Sequence, residues 1–103
     1  MKQDFGKAAE WFGEGVEKGD GFCANNLARL YEDGKGVEKN LEKALELFEV
    51  AVDKKCNRAN YHLGRFYENG LGVDVDIDKA KEYYGRAAGK DDGDAKAALE
   101  RLG

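Results

Sequence analysis

The sequence contains no serine, no threonine and no proline. Hydroxyl groups are therefore limited to tyrosine, which excludes serine and threonine nucleophiles, Ser/Thr phosphorylation and N-x-Ser/Thr glycosylation. Turns must be formed by the 14 glycines together with asparagine and aspartate. So restricted a composition is typical either of compositional drift or of a designed or consensus-like repeat with no natural partner, and both interpretations stay open.

Long apolar segments and an excess of positive charge are also missing. No apolar run approaches the roughly 20 residues that span a bilayer, and the first residues lack the apolar core of a signal peptide. The net charge of -4 argues against nucleic acid and anionic membrane as partners. With 103 residues, the chain is predicted to form one soluble domain.

The sequence repeats itself every 36 residues, as the step from Leu27 to Leu63 shows. Within this register Leu27, Arg29, Tyr31, Glu32, Gly34, Gly36 and Val37 correspond to Leu63, Arg65, Tyr67, Glu68, Gly70, Gly72 and Val73. Ala95, Leu99 and Arg101 continue the register by one more period. A period of about 20 to 50 residues indicates a solenoid, in which each unit buries its apolar face against its neighbours.

Each period predicts two amphipathic helices. Ala59, Leu63 and Tyr67 are spaced by four residues and lie on one stripe of a first helix, here called type A. Ile77, Ala80 and Tyr84 belong to the stripe of a second helix, type B. The pattern predicts six helices in the order B, A, B, A, B, A, at residues 4–18, 22–33, 40–54, 58–69, 76–89 and 94–102. An array that opens on a B helix is typical of a piece of a longer array or of an unusual cap.

Glycines and short polar residues mark the predicted helix ends. Gly70 follows an A helix where a left-handed residue commonly ends a helix, and Gly72-Val73 completes the turn. Short side-chain oxygens that can cap a helix stand one period apart before each B helix, at Asp4, Asn40 and Asp76.

Residues 59–88 read Ala59-x-x-x-Leu63-Gly64-x-x-Tyr67-x-x-Gly70-x-Gly72-Val73, followed by Asp78-Lys79-Ala80-x-x-Tyr83-Tyr84-x-x-Ala87-Ala88. This pattern closely resembles the Sel-1-like repeat, a relative of the 34-residue tetratricopeptide repeat. The resemblance extends over the whole chain and implies an all-α fold, a right-handed α/α superhelical solenoid of about six helices. It implies a single domain, 1–103, with a half repeat 4–20, repeats 22–57 and 58–93 and a capping helix 94–103. Glu100 departs from the family by standing where glycine is preferred.

The resemblance implies a scaffold that binds a protein or peptide partner, without cofactors. In stacked helix pairs of this family the A helices are expected to line the concave face. Their polar positions are therefore the candidate partner contacts, namely Asn25, Asn26, Arg29, Arg58, Tyr61, His62, Arg65 and Arg101.

Three of these candidates, Arg29, Arg65 and Arg101, are one period apart and are expected to stack along one groove. Such a ladder could hold an acidic peptide or a C-terminal carboxylate through paired hydrogen bonds. The alternative is an i,i+3 ion pair within each helix, since Glu32 and Glu68 follow the first two arginines by three residues.

Two aromatic residues of the A helices are further candidates. Tyr61 is expected to be exposed, where it could anchor a peptide. Phe22 is either a second exposed anchor or, the interpretation favoured slightly, buried against the preceding B helix.

A hydrolase is the alternative function that the resemblance leaves open. Cysteine-rich relatives carry cysteines paired eight residues apart, and some have been linked to β-lactam hydrolysis. Here Gly15 and Phe48 stand eight residues before Cys23 and Cys56, so that framework is absent. Cys23 and His62 fall on neighbouring A helices about 10 Å apart, too far for the roughly 3 Å contact of a catalytic dyad. We therefore expect neither an enzyme nor a metal site.

The two cysteines occupy non-equivalent positions in the repeat, so free thiols and a reducing, cytoplasmic compartment are expected. The unpaired B helix at one end and the short A helix at the other predict a possible end-to-end self-association, because truncated solenoids expose apolar surface.

Overall fold

The computed structural model describes residues 4–103, and within them it contains six α-helices and no strand. The helices are α1 (Phe5–Glu17), α2 (Gly21–Asp33), α3 (Leu41–Asp53), α4 (Asn57–Asn69), α5 (Ile77–Ala88) and α6 (Gly93–Leu102). In the sequence pattern α1, α3 and α5 are of type B, and α2, α4 and α6 of type A. The all-α fold class is confirmed, and every predicted helix is present with its ends within one residue of the predicted bounds.

Short polar side chains start five of the six helices. The predicted caps are confirmed: Asp4, Asn40 and Asp76 each accept a hydrogen bond from the backbone N–H three residues later. Asp20 and Asp92 cap α2 and α6 in the same way, each with bonds from two N–H groups. These side chains satisfy donors that have no partner inside the helix.

The turn from each A helix to the next B helix depends on glycine. Gly34 and Gly70 end α2 and α4 in the left-handed conformation, with φ of 70° and 68°. Gly72 has φ of 69°, and a Cβ there would lie 3.0 Å from the backbone of Leu41. The turn therefore packs directly on the start of the preceding B helix, which sets the register between repeats.

Consecutive helices pack against one another along an elongated molecule of 40 × 26 × 24 Å. The core contains many alanines, including Ala24, Ala28, Ala44 and Ala59, which are fully buried. Larger side chains such as Phe48 and Phe66 fill the space between them, with ring centroids 5.3 Å apart in an edge-on arrangement. Small residues thus let the helices approach closely, and aromatic rings fill the remaining space between the helices.

Gly64 marks a close approach between α4 and α5. A Cβ at this position would lie 2.6 Å from the ring of Tyr84, which is itself 1% exposed. The hydroxyl of Tyr84 donates to Glu68 Oε1 at 2.7 Å, so the ring is fixed at both ends.

No helix in residues 4–103 has the length and apolar character to cross a bilayer.

We expect Gly64→Ala to lower the free energy of unfolding by about 1–3 kcal/mol, because the new methyl group would displace the Tyr84 ring. Gly85→Ala is the matched control, since nothing lies within 4 Å of a Cβ there. That control should stabilise the protein by up to about 1 kcal/mol through helix propensity alone. Urea unfolding followed by circular dichroism measures both, and equal stabilisation by the two changes would contradict the packing argument.

Candidate interaction surface

Two of the three stacked arginines form ion pairs with the repeat before them. Arg65 Nη2 lies 2.6 Å from Glu32 Oε2, and Arg101 Nη2 lies 2.9 Å from Glu68 Oε1. Each pair joins residues 33 positions apart. The arginines do stack along the A helices, but the expectation of i,i+3 pairs within a helix is wrong. The glutamates that follow Arg29 and Arg65 by three residues instead pair with the arginine of the next repeat.

These pairs tie consecutive repeats together. In both, two guanidinium nitrogens contact two carboxylate oxygens, which is the strong bidentate geometry. Hydrogen bonding from Arg101 is the main reason that the pKa of Glu68 lies below its usual range, and the Tyr84 hydroxyl adds to the effect. Burial and the bond to Glu68 together raise the pKa of Tyr84.

Arg58, another candidate contact, is held by the start of α6. Its Nη1 donates to both oxygens of Asp92, at 2.9 and 3.0 Å, and its Nη2 lies 3.0 Å from Asp94 Oδ2. Burial raises the pKa of Asp92, but hydrogen bonds from Arg58, Ala95 and Asp94 outweigh it, so the net pKa is lowered. One carboxylate therefore caps α6 and binds α4.

Two candidates for partner contact are buried. Asn25 is 6% exposed and His62 is 8% exposed. The imidazole of His62 stacks on Phe48 with ring centroids 4.8 Å apart, and its Nδ1 lies 3.2 Å from Arg65 Nη1. Burial, followed by the charges of Arg65, Arg58 and Arg29, lowers the pKa of His62 to about 3. His62 is therefore neutral at pH 7 and packs as part of the core.

The aromatic candidates differ from expectation. Phe22 is 71% exposed and is not buried against α1. Tyr61 is only partly exposed, because it packs beside the α5–α6 core and lies 4.2 Å below the Arg58 guanidinium. Of these two aromatic candidates, Phe22 is thus the one whose side chain is available to a partner.

Arg29 is exposed and is the stacked arginine that forms no ion pair within residues 4–103. It lines a cavity of about 270 Å³ between α1 and α2, together with Asn26 and Lys35. The remaining lining residues are Phe5, Phe12, Leu30 and Asp33. We call this patch the Arg29 surface. Its cations and its apolar floor lie side by side. This arrangement is suited to a peptide that carries acidic and apolar side chains.

The ion pairs between repeats were missed because local spacing suggested a nearer partner. A signal was present: each arginine stands 33 residues after a glutamate at a fixed place in the repeat. Both thiols are free, and no group of three or more His, Cys, Asp or Glu side chains in residues 4–103 is placed to hold a metal ion.

The burial of His62 predicts a pH-dependent stability. The folded pKa of about 3 lies below the ordinary value of 6.5, so the unfolded chain binds the proton first and stability falls as the pH drops below 6.5. The loss should reach about 2 kcal/mol between pH 7 and pH 5, a window above the range in which Glu68 and Asp92 titrate. His62→Asn introduces the residue type found at the equivalent position one period earlier, Asn26. This variant should lose the pH dependence of the free energy of unfolding, measured by urea unfolding. An unchanged slope would show that another group is responsible.

The inter-repeat pair predicts a larger effect than an exposed one. Glu32→Gln should cost about 1–2 kcal/mol, because the side chains of Arg65 and Glu32 are only 28% and 17% exposed. Glu82→Gln is the control, since it breaks the exposed i,i+4 pair with Arg86 and should cost under about 0.5 kcal/mol. Similar unfolding midpoints for the two variants would contradict the role assigned to Glu32.

The family model of the Sel1 repeat matches residues 1–20, 21–56 and 57–92. No curated protein matches. The structure is similar to that of a Sel1 repeat protein from Oxalobacter formigenes, with a TM-score of 0.85 and 34% sequence identity over 89% of this chain and 69% of that one.

Two further solved structures show the same fold. One is c5321, a protective antigen of uropathogenic Escherichia coli with an SLR fold, with a TM-score of 0.82 and 28% identity over 85% of this chain and 19% of that one. The other is cysteine rich protein B of Helicobacter pylori, with a TM-score of 0.82 and 25% identity over 88% of this chain and 68% of that one. Sel1 repeat proteins are generally scaffolds for protein–protein interaction and typically not enzymes. Because the repeat model covers most of the sequence, the chain belongs to the Sel1 repeat family.

Proposed function

We propose that the chain is an interaction module that binds an acidic segment of a protein partner at the Arg29 surface. The observation that carries the proposal is the different environment of three equivalent arginines. Arg65 and Arg101 are engaged by glutamates of the preceding repeat, whereas Arg29 is exposed and, within residues 4–103, forms no ion pair. A carboxylate of a partner would occupy the place that Glu32 and Glu68 occupy beside the other two.

The surroundings of Arg29 support such a ligand. Lys35 is exposed on the same surface, and its Nζ lies 5.3 Å from the centroid of the Phe5 ring. Asn26 adds an amide that can hydrogen-bond to a peptide backbone. Phe12 and Leu30 supply apolar contact. An acidic residue next to a hydrophobic one is therefore the pattern best suited to this patch.

The net charge of -4 repels an acidic partner at long range. At physiological salt that repulsion is screened beyond about 8 Å, whereas contacts at the surface are screened much less. Binding would consequently depend on the two local cations, which outnumber the one carboxylate of the lining, Asp33, with little electrostatic steering of the approach.

End-to-end self-association stays a second prediction. Trp11 on α1 is 74% exposed, and it occupies the position of Tyr83, which stacks on Tyr67 of the preceding A helix. Glu100 on α6 disfavours this association. It stands one period after Gly64, the position that admits an aromatic ring of the next B helix. The free thiols support our proposal of a reducing compartment, and no observation favours a hydrolase or a designed repeat.

A peptide titration tests the proposed function. We expect an acetylated, amidated peptide of glutamates flanking one leucine to bind more tightly than the same peptide with glutamines. Arg29→Glu should weaken binding at least about 10-fold, since it replaces an attractive contact with a repulsive one. Fluorescence anisotropy measures both, and binding should weaken as salt rises.

Arg86→Glu is the matched control, because it makes the same charge change on an exposed residue of α5. Affinity in this variant should stay within about twofold of the parent protein. Equal losses in the two variants, or no preference for the glutamate peptide, would refute a specific site at Arg29. Thermal unfolding of each variant shows whether the fold is retained.

A further inference from the structure

A cavity of about 440 Å³ lies at the N-terminus of α4, away from the Arg29 surface. It is lined by Val52, Lys55, Cys56, Asn57, Asn60 and Lys90. We propose that this cavity binds a compact oxyanion, a carboxylate or phosphate group, against the first turn of α4. This site goes beyond the proposed partner binding and does not depend on it.

The first turn of α4 lacks the acceptor that the other helices have. Its N-cap residue is Cys56, whose side chain forms no capping hydrogen bond. In α2 and α6 the equivalent residues are Asp20 and Asp92, and their carboxylates accept from the second and third N–H groups of the helix. In α4 those groups belong to Arg58 and Ala59. The Ala59 N–H donates to the carbonyl oxygen of Cys56 at 3.1 Å, which leaves the Arg58 N–H as the donor for a ligand. An oxyanion at this end would take the place of the missing aspartate, where the helix dipole also favours negative charge.

Asn60 supplies an independent indication of a binding site. The residue is 8% exposed, lines the cavity, and its Oδ1 has no hydrogen-bond partner among the described residues. A buried amide without partners is costly, and native structures usually satisfy it. The unpartnered atom is an acceptor, so the amide has to turn by 180° about its terminal bond for its NH₂ group to donate to an oxyanion.

The charge around the cavity fits the same ligand. Lys55 and Lys90 contribute two ammonium groups, and none of the six lining residues carries a carboxylate. Val52 provides an apolar wall. The start of α4, an amide and two cations therefore border one space.

The equivalent place in the preceding repeat is closed. Asp20, Gly21 and Ala24 stand there in place of Cys56, Asn57 and Asn60, so the aspartate fills the helix end itself. A Cβ at Gly21 would lie 2.9 Å from the carbonyl oxygen of Lys54, which shows how tightly that junction packs. Around α4, by contrast, Asn57 Nδ2 donates to the carbonyl of Ala87 at 3.1 Å, so a side chain spans the junction. Three substitutions thus produce a wider, polar cavity in this one repeat.

The oxyanion site and the arginine pairs use different sides of α4. Asn60 and Arg65 are five residues apart, which separates them by about 140° around a helix. Asn60 and Cys56 lie toward the α3–α5 side, whereas Arg65 faces Glu32 on α2. Occupancy of the cavity therefore leaves the Arg29 surface open.

A titration of the full chain followed by ¹⁵N–¹H spectra tests the proposal. The probes are inorganic phosphate and N-acetylglycine, with N-acetylglycinamide as the uncharged control, in Tris chloride buffer. We expect saturable shifts of the Arg58 amide with a Kd of about 1 mM, as expected for a few charge-assisted hydrogen bonds. The capped amides of Phe22 and Cys23 serve as the internal control and should not move.

Two variants separate a built site from general anion attraction. Cys56→Asp supplies the missing cap, so it should abolish the shifts. Asn60→Ala copies Ala24 of the preceding repeat and should weaken binding at least about fivefold without adding a cap. It also decides the matter if Cys56→Asp fails to fold.

The two probes identify the source of the oxyanion. Binding of phosphate alone assigns a phosphate group, binding of N-acetylglycine alone assigns a carboxylate such as a peptide C-terminus, and binding of both supports the general oxyanion site. Absence of shifts, equal shifts at Phe22 and Cys23, or binding unchanged in both variants would overturn the proposal.

Discussion

The structure depends on small residues at the places where helices of one repeat meet aromatic rings of the next helix. Gly64 admits the ring of Tyr84, and Ala28 holds the same place one repeat earlier, where Phe48 is fully buried. Each helix is too short to be stable by itself, because helices under about 12–15 residues are marginal in water. Close contact with the neighbouring helix therefore supplies the stability, and every other feature is positioned by that stack.

The stack decides which charges are available to other molecules. Arg65 and Arg101 form ion pairs with glutamates of the preceding repeat, and Arg58 is bound by Asp92 and Asp94. Arginines that look equivalent in sequence thus differ in role. The ion pairs between repeats and the binding proposed for Arg29 use the same side-chain chemistry, and the presence of a neighbouring carboxylate distinguishes them.

Local features of this chain could be predicted well from its sequence. The helices, the caps at Asp4, Asn40 and Asp76, and the glycine turns all follow from periodicity and from the properties of single residues. The ion-pair partners and the burial of His62 depend on the offset between stacked helices, which residue spacing within one helix does not contain. The uncapped end of α4 was visible in principle, because Asp20, Cys56 and Asp92 are spaced by one period.

Asp92 belongs to two helices at once, since its carboxylate accepts from the first turn of α6 and from Arg58 of α4. Fraying of α6 would leave that carboxylate without its backbone donors and loosen Arg58, which covers the Tyr61 ring. Motion at the terminal helix is thereby transmitted to the repeat before it. The last hairpin and its cap should accordingly open as one cooperative unit, with similar hydrogen-exchange protection on both sides of the junction.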